Sequence, residues 1–252
     1  MGAGPATSAM PEDNDNKKMG SSKRTGSTTI TGNKTRTPKN YSGILPPQKE
    51  EHQGKVTVVL DMDETMLHSQ FETKNTYRQD EDRQNTSRDA DFKFQLRLDA
   101  HSPPETVKVF KRPGLDKFLR DLAKDFEVVV FTAAVPLYAK PVLDLTDKQG
   151  LITHRLYRSS TVTFKGQPYV KDISKLGRDM SRIVLIDNNP CAMLASPDNV
   201  IPIMSFYDSK TDNELPKVLA LLRKLKDMED IRPFLIKRFK FRENMMQLLS
   251  NV

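Results

Sequence analysis

The sequence has a single cysteine, Cys191, and no tryptophan in 252 residues. One cysteine excludes a disulfide framework within the chain and points to a reducing compartment, nuclear or cytoplasmic. No apolar run approaches the roughly 20 residues that a membrane-spanning helix needs. The opening stretch, MGAGPATSAMPEDNDNKK, lacks the apolar core of a signal peptide. It begins Met-Gly, yet Ala6 stands where an N-myristoylation pattern has Ser or Thr. Long blocks of one charge sign are missing as well. The 40 Lys and Arg are interleaved with 33 Asp and Glu, for a formal net charge of +7. That balance suits an acidic or phosphorylated partner, but the mixed aromatic and basic pattern of an RNA-binding surface is absent. Stable nucleic-acid binding is therefore not expected.

What is present falls into two parts. Residues 1–53 are rich in Gly, Ser, Thr, Asn, Lys and Pro without apolar periodicity. Such a stretch buries too little surface to offset its ordering entropy, so a disordered basic arm is expected there. From residue 54 to 252 the chain reads as one folded domain. KVTVVLDMD, EVVVFTAA, SRIVLIDN and NVIPIMSF are continuous apolar strands, and RPGLDKFLRDLAKDF and PLYAKPVLDLTDKQG are helices between them. The second helix is expected to end at Gly150, with Pro141 kinking or restarting it. TDNELPKVLALLRKLKDM and the basic IRPFLIKRFKFRENMMQLL read as two further helices, the second of which either packs on the domain or docks a partner or membrane surface. Buried strands alternating with helices imply an α/β fold, a parallel sheet with helices on both faces. After the first strand come a polar insertion, residues 72–91, and a small β-hairpin around Pro103-Pro104.

Three of the apolar strands end in particular polar groups: Asp61, then Thr132, then Asp187-Asn188. In open α/β sheets ligands bind beyond the carboxyl ends of the strands. Asp61 and Asp63 point to the same side of an extended chain, with Met62 behind them. Two neighbouring carboxylates repel each other unless a hard cation such as Mg²⁺ takes their oxygens. One carboxylate can then attack phosphorus and the other can carry a proton. Asp187 and Asn188 would complete the metal shell. Thr132 offers a hydroxyl and a backbone N–H to phosphate oxygens, and Lys171 neutralises phosphate charge.

DMDETMLHS, VVVFTAA, YVKDISKLGRD and LIDNNP resemble, in order, the four motifs of the haloacid dehalogenase superfamily. KRPGLDKFL and SPDNVIPI narrow the similarity to phosphatases of the FCP/SCP type, marked by Asp-x-Asp-x-Thr. The resemblance runs from about Lys55 to about Arg238 and implies a Rossmann-type sheet without a large cap. It implies Mg²⁺-dependent dephosphorylation of protein phosphoserine or phosphothreonine, with the RNA polymerase II C-terminal domain as one substrate of that kind. It makes Asp61 the nucleophile and Asp63 the general acid and base. Asp61, the carbonyl of Asp63 and Asn188 would hold Mg²⁺, with Asp187 close by, and Thr132 and Lys171 would bind phosphate.

Other readings stand beside these. A phosphatase of small metabolites or lipid phosphates, or a non-catalytic binding module of the same fold, would share the motifs. Short segments between Thr132 and Lys171 leave little for a lid, which favours a phosphorylated protein loop over a small metabolite. Phe71 either lines a substrate pocket, as the resemblance suggests, or packs under the insertion. Arg158 either meets substrate or sits on the surface. Thr65 is given a supporting role, His68 a structural one, and Cys191 that of a small packed residue.

Overall fold

A computed structural model of the chain describes residues 42–72, 88–99 and 101–250. The arm up to residue 41 and residues 73–87 of the polar insertion lie outside the described residues. In chain order the first elements are β1 (Thr57–Leu60), β2 (Leu67–Glu72), β3 (Phe92–Leu96), β4 (Glu105–Lys111), α1 (Leu115–Asp125), β5 (Glu127–Phe131) and α2 (Pro136–Thr146). They are followed by β6 (His154–Leu156), β7 (Val162–Phe164), β8 (Gln167–Val170), β9 (Ile183–Asp187), β10 (Val200–Pro202), α3 (Glu214–Leu225), α4 (Arg232–Phe239) and α5 (Phe241–Ser250).

The apolar runs make one parallel sheet of five strands in the order β10-β9-β1-β5-β6. All residues of β1, β5 and β9 are buried, as both faces of a parallel sheet are covered. Alternate residues serve different cores. Val58, Leu60, Val128, Val130, Val184 and Ile186 face α1, α2, α3 and α4, which contribute Phe118, Leu143, Leu222 and Leu235 among others. Val59, Val129, Phe131, Ile183 and Leu185 face the other way. That second face is covered by α5, through Phe241 and Met245, and by short turns carrying Ile173, Leu176 and Met193. Among the described residues the two covers are thus unequal: four helices lie on one face, and one helix with single turns lies on the other.

Three expectations change. Residues 42–53 belong to the fold rather than to an arm. Leu45 is buried in the second core, Ile44 N–H donates to Lys175 O at 2.8 Å, and Gln48 reaches Glu127 at 3.2 Å. One buried leucine, one backbone N–H and one glutamine in a polar stretch suffice to tie it down. α2 stops at Thr146 rather than Gly150, since the Asp147 carboxylate accepts the N–H groups of Leu151 and Ile152 (2.8 and 2.9 Å) and competes with another helical turn. The basic C-terminal helix is two helices, broken at Lys240, which takes φ 47°. Leu235 belongs to one core and Phe241 and Met245 to the other, and the break lets both be buried.

The hairpin expected around Pro103-Pro104 is present as β3 and β4, and β2 adds a third strand to it. β2, β4 and β3 form an antiparallel sheet in the order β2-β4-β3, with β2 paired to β4 from Leu67↔Lys111 to Glu72↔Thr106. Its inward side, with Val107, Val109 and Leu96, joins the helix-covered core. The insertion therefore stands on the domain beside the carboxyl end of β1.

Candidate active site

Register brings the polar strand ends together. Leu60 is level with Val130 and Ile186, so Asp61 follows directly beside Asp187 on the neighbouring strand. Asp61 N–H donates to Ile186 O at 3.0 Å, extending the pairing by one residue. Met62 is buried behind, and the chain then turns tightly through Glu64, at φ 57°, into β2. Thr65 is fully buried. Its hydroxyl donates to Asn188 Oδ1 at 3.2 Å, and its carbonyl accepts from Arg112 Nη1 at 3.0 Å. The supporting role expected of Thr65 is therefore a tie between the turn after β1 and the loop after β9.

Lys171 follows β8, its N–H held by Ala192 O at 2.8 Å. Its ammonium lies between two carboxylates, 2.5 Å from Asp61 Oδ1 and 2.7 Å from Asp187 Oδ2, with all three side chains buried. The other Asp187 oxygen accepts Asn189 N–H at 2.8 Å. Asn188 is oriented from both ends, by Thr65 and by Ser205 Oγ at 3.1 Å. Half-buried Asp63 accepts the Tyr138 hydroxyl at 2.6 Å. Thr132 is buried at the end of β5 and departs from expectation in one respect. Its N–H is taken by Leu156 O at 2.9 Å in the pairing with β6, so only the hydroxyl faces outward chemistry. That oxygen accepts Ala134 N–H at 3.0 Å, which leaves its own proton to donate.

Burial dominates the electrostatics. It pushes the Asp61 carboxyl up to about 7; Lys171 opposes the shift and Asp187 adds to it. Burial also pushes Asp63 up to about 6, against the Tyr138 hydrogen bond. For Lys171, burial favours the neutral amine, but Asp61 and Asp187 more than offset it and hold the ammonium charged. Two carboxylates around one ammonium leave a net negative centre open to a cleft of about 420 Å³, lined also by Thr132, Tyr169 and Asn188. Among the described residues no group of three or more His, Cys, Asp or Glu is placed to hold a metal ion. The expected ligand set is of another kind: one carboxylate, a backbone carbonyl and an amide oxygen, with Asp187 adjacent. Its donors are all oxygen, which fits a hard cation such as Mg²⁺.

The remaining candidates fall around this centre. Phe71 is 43% exposed on β2, its ring 5.6 Å from that of Tyr138, so it touches the site through Tyr138. Arg158 is at the cleft rim, where Nε donates to Ala133 O at 2.6 Å. His68 pairs with Glu64 at 3.1 Å and stands edge-on to Tyr207. Cys191 is half-buried, and its N–H is capped by Asn189. Sequence reasoning missed Tyr138, Arg112 and Ser205. Tyr138 is three residues beyond Val135 on a helix read for its apolar face, and nothing local marked its hydroxyl. A separate depression of about 340 Å³ lies between α1 and the end of α2, where Asp91, Lys111 and Asp116 are engaged with one another.

A family model described as NLI interacting factor-like phosphatase matches residues 56–232. The chain belongs to this family of phosphatases. The match takes in every strand end described above. Curated relatives agree. Human carboxy-terminal domain RNA polymerase II polypeptide A small phosphatase 1 is 38% identical over 195 residues, 77% of this chain and 68% of the relative. Phosphatase PSR1 of Saccharomyces cerevisiae is 39% identical over 73% of this chain and 40% of its own length. A probable C-terminal domain small phosphatase of Dictyostelium discoideum is 41% identical over 75% of this chain and 56% of its own. The chain thus spans 40% and 56% of the length of the latter two relatives.

Proposed function

We propose that the chain is a Mg²⁺-dependent protein serine/threonine phosphatase working through an aspartyl-phosphate on Asp61. Its substrates are phosphorylated Ser or Thr in flexible segments of the RNA polymerase II C-terminal-domain kind, the domain that its human relative's name carries. Such a substrate would place it in the nucleus, and cytoplasmic phosphoproteins fit the same chemistry. The observation that carries the reading is the Lys171 ammonium set between Asp61 and Asp187 at adjoining strand ends.

The residues suit the steps in turn. Lys171 and the Thr132 hydroxyl meet non-bridging phosphate oxygens and balance the charge that moves to them. Asp61 Oδ attacks phosphorus, forming an O–P bond as the bond to the seryl or threonyl oxygen breaks. Asp63, whose raised affinity for a proton follows from its burial, delivers that proton to the departing oxygen. It then takes a proton from water as the water oxygen attacks the phosphorus of the aspartyl-phosphate, releasing inorganic phosphate and restoring Asp61. Tyr138 holds the Asp63 carboxyl in place during both transfers. Mg²⁺, held by Asp61, the Asp63 carbonyl and Asn188 beside Asp187, would supply positive charge against the phosphate and the two carboxylates.

The test is hydrolysis of an aryl phosphate and of phosphoserine peptides with Mg²⁺, with chelator, and by Asp61→Asn. Wild type is expected to turn over only with Mg²⁺, and Asp61→Asn to lose at least about a thousandfold in kcat. Equal rates for wild type and Asp61→Asn would end the reading. A panel of phosphometabolites hydrolysed faster than any peptide would overturn the substrate class alone.

A further inference from the structure

The hairpin leading into Lys171 has a fault in its ladder. β7 and β8 are joined through Lys165 and Gly166, both at positive φ (48° and 81°), as a tight two-residue turn requires. Phe164 pairs with Gln167, yet Val162 pairs with Val170. Between these pairs β7 has one residue, Thr163, and β8 has two, Pro168 and Tyr169. The extra residue is a β-bulge, a device that re-aims a side chain and recurs beside active sites.

Tyr169 is where the bulge is accommodated. It adopts φ 61°, a conformation strained for a bulky side chain, and it is 46% exposed at the cleft. The strain therefore does not serve burial. Arg158 backs the ring, its guanidinium 5.0 Å from the centroid. Arg158 is itself fixed to the cleft wall, through Nε to Ala133 O and through its N–H to Ala134 O at 3.0 Å. The ring is thus presented, on a strained backbone, by an anchored cation. The cleft it lines holds the charged Asp61, Lys171 and Asp187 together with the small apolar Ala133, Ala134, Pro190 and Ala192.

We propose that Tyr169 is a specificity-determining residue: its ring packs against an apolar side chain next to the phosphorylated residue of a peptide substrate. The proposal rests on the phosphatase reading above. The charged cluster around Lys171 takes the phosphate, and Tyr169, two residues away in the chain, takes the neighbour. Strain held at an exposed aromatic is then explained by use rather than by stability.

Two phosphoserine peptides of equal charge test it, one with Leu beside the phosphoserine and one with Gly. Wild type is expected to prefer the Leu peptide by about three- to tenfold in kcat/KM, mainly through KM. Tyr169→Gly suits the left-handed backbone, so it is expected to fold, with a melting temperature close to that of wild type. It should bring the peptide ratio close to one, while Tyr169→Phe keeps it. An unchanged ratio in Tyr169→Gly, or an equal loss on both peptides, overturns the inference. If wild type hydrolyses nothing, the phosphatase reading fails by itself. The same ratio, read as Kd of the two peptides for wild type and Tyr169→Gly, then decides the inference alone.

Discussion

Asp63 and Tyr138 form the pair on which the proposed acid–base step depends. A hydrogen bond to a carboxylate favours its ionised form, so the Tyr138 hydroxyl lowers the proton affinity that burial raises. Tyr138→Phe removes that bond and frees the carboxyl to turn. We expect kcat to fall about tenfold, the worth of one orienting hydrogen bond to a charged group. The base-side limb of the kcat–pH profile, where Asp63 no longer holds its proton, should move to higher pH. A profile that keeps its limb while kcat falls would mean that Tyr138 acts on substrate and not on Asp63. The expected site residues were legible because their strand ends are: an apolar run that stops at Asp61, Thr132 or Asp187 is visible in the sequence. Lys171 needed the family's motif order beside it. Tyr138 was not legible, since its hydroxyl meets Asp63 only when α2 packs against the turn after β1. The Thr132 N–H was misjudged because β6, which takes it, is three residues long and weakly patterned.

Among the elements, the insertion sheet and the loop after β10 are joined to the site by one buried residue. Arg112, at the end of β4, binds Asp212 through Nε and Nη2, both at 2.8 Å. It also donates to Thr65 O and to Met204 O, at 3.0 and 2.8 Å. The guanidinium is fully buried and Asp212 nearly so, so removing one partner strands the other. Arg112→Met is expected to cost about 3–5 kcal/mol in urea unfolding. It should also lower kcat more than it changes KM for an aryl phosphate, because Thr65 orients Asn188. Unfolding at the wild-type midpoint would show that the network adds nothing. Element existence was readable from apolar continuity in the parallel sheet. β2 was not, since only Leu67 of LHSQFE is buried and the polar run follows at once. The break at Lys240 was not legible either, because no Gly or Pro marks it. It follows from two cores that a single straight helix cannot serve.

For the whole molecule, a second buried charge cluster closes the end of the sheet opposite the cleft. Glu127, at the start of β5, accepts from both Arg178 Nε and Nη2 at 2.7 Å and from the Thr57 hydroxyl at 2.7 Å. Gln48 and His154 lie at 3.2 and 3.6 Å. One carboxylate thereby joins β1, β5, β6, the Arg178 turn and the segment before β1. Burial alone would raise its proton affinity. The hydrogen bonds from Arg178 and Thr57, with the His154 ring close by, outweigh burial and hold it far below the usual carboxylate range. The sign of the linkage follows. A carboxylate with a depressed folded-state value contributes stability that is fully present above its unfolded value, about 4.3, and is lost as pH falls toward the folded one. In wild type, stability should therefore decline with acid below about pH 5. Glu127→Gln is expected to be less stable at pH 7 by about 3 kcal/mol, since Arg178 loses a buried counter-charge. Its stability should also fall less steeply than that of wild type between about pH 4.3 and pH 2, since the titrating group is gone. Parallel slopes for the two chains in that window, by urea unfolding at stepped pH, would place the acid sensitivity elsewhere. Asp61 and Asp63 do not mimic the effect, because their raised values make protonation on acidification favourable to the fold rather than adverse. Asp61 and Asp63 thus respond to acid with a sign opposite to that of Glu127.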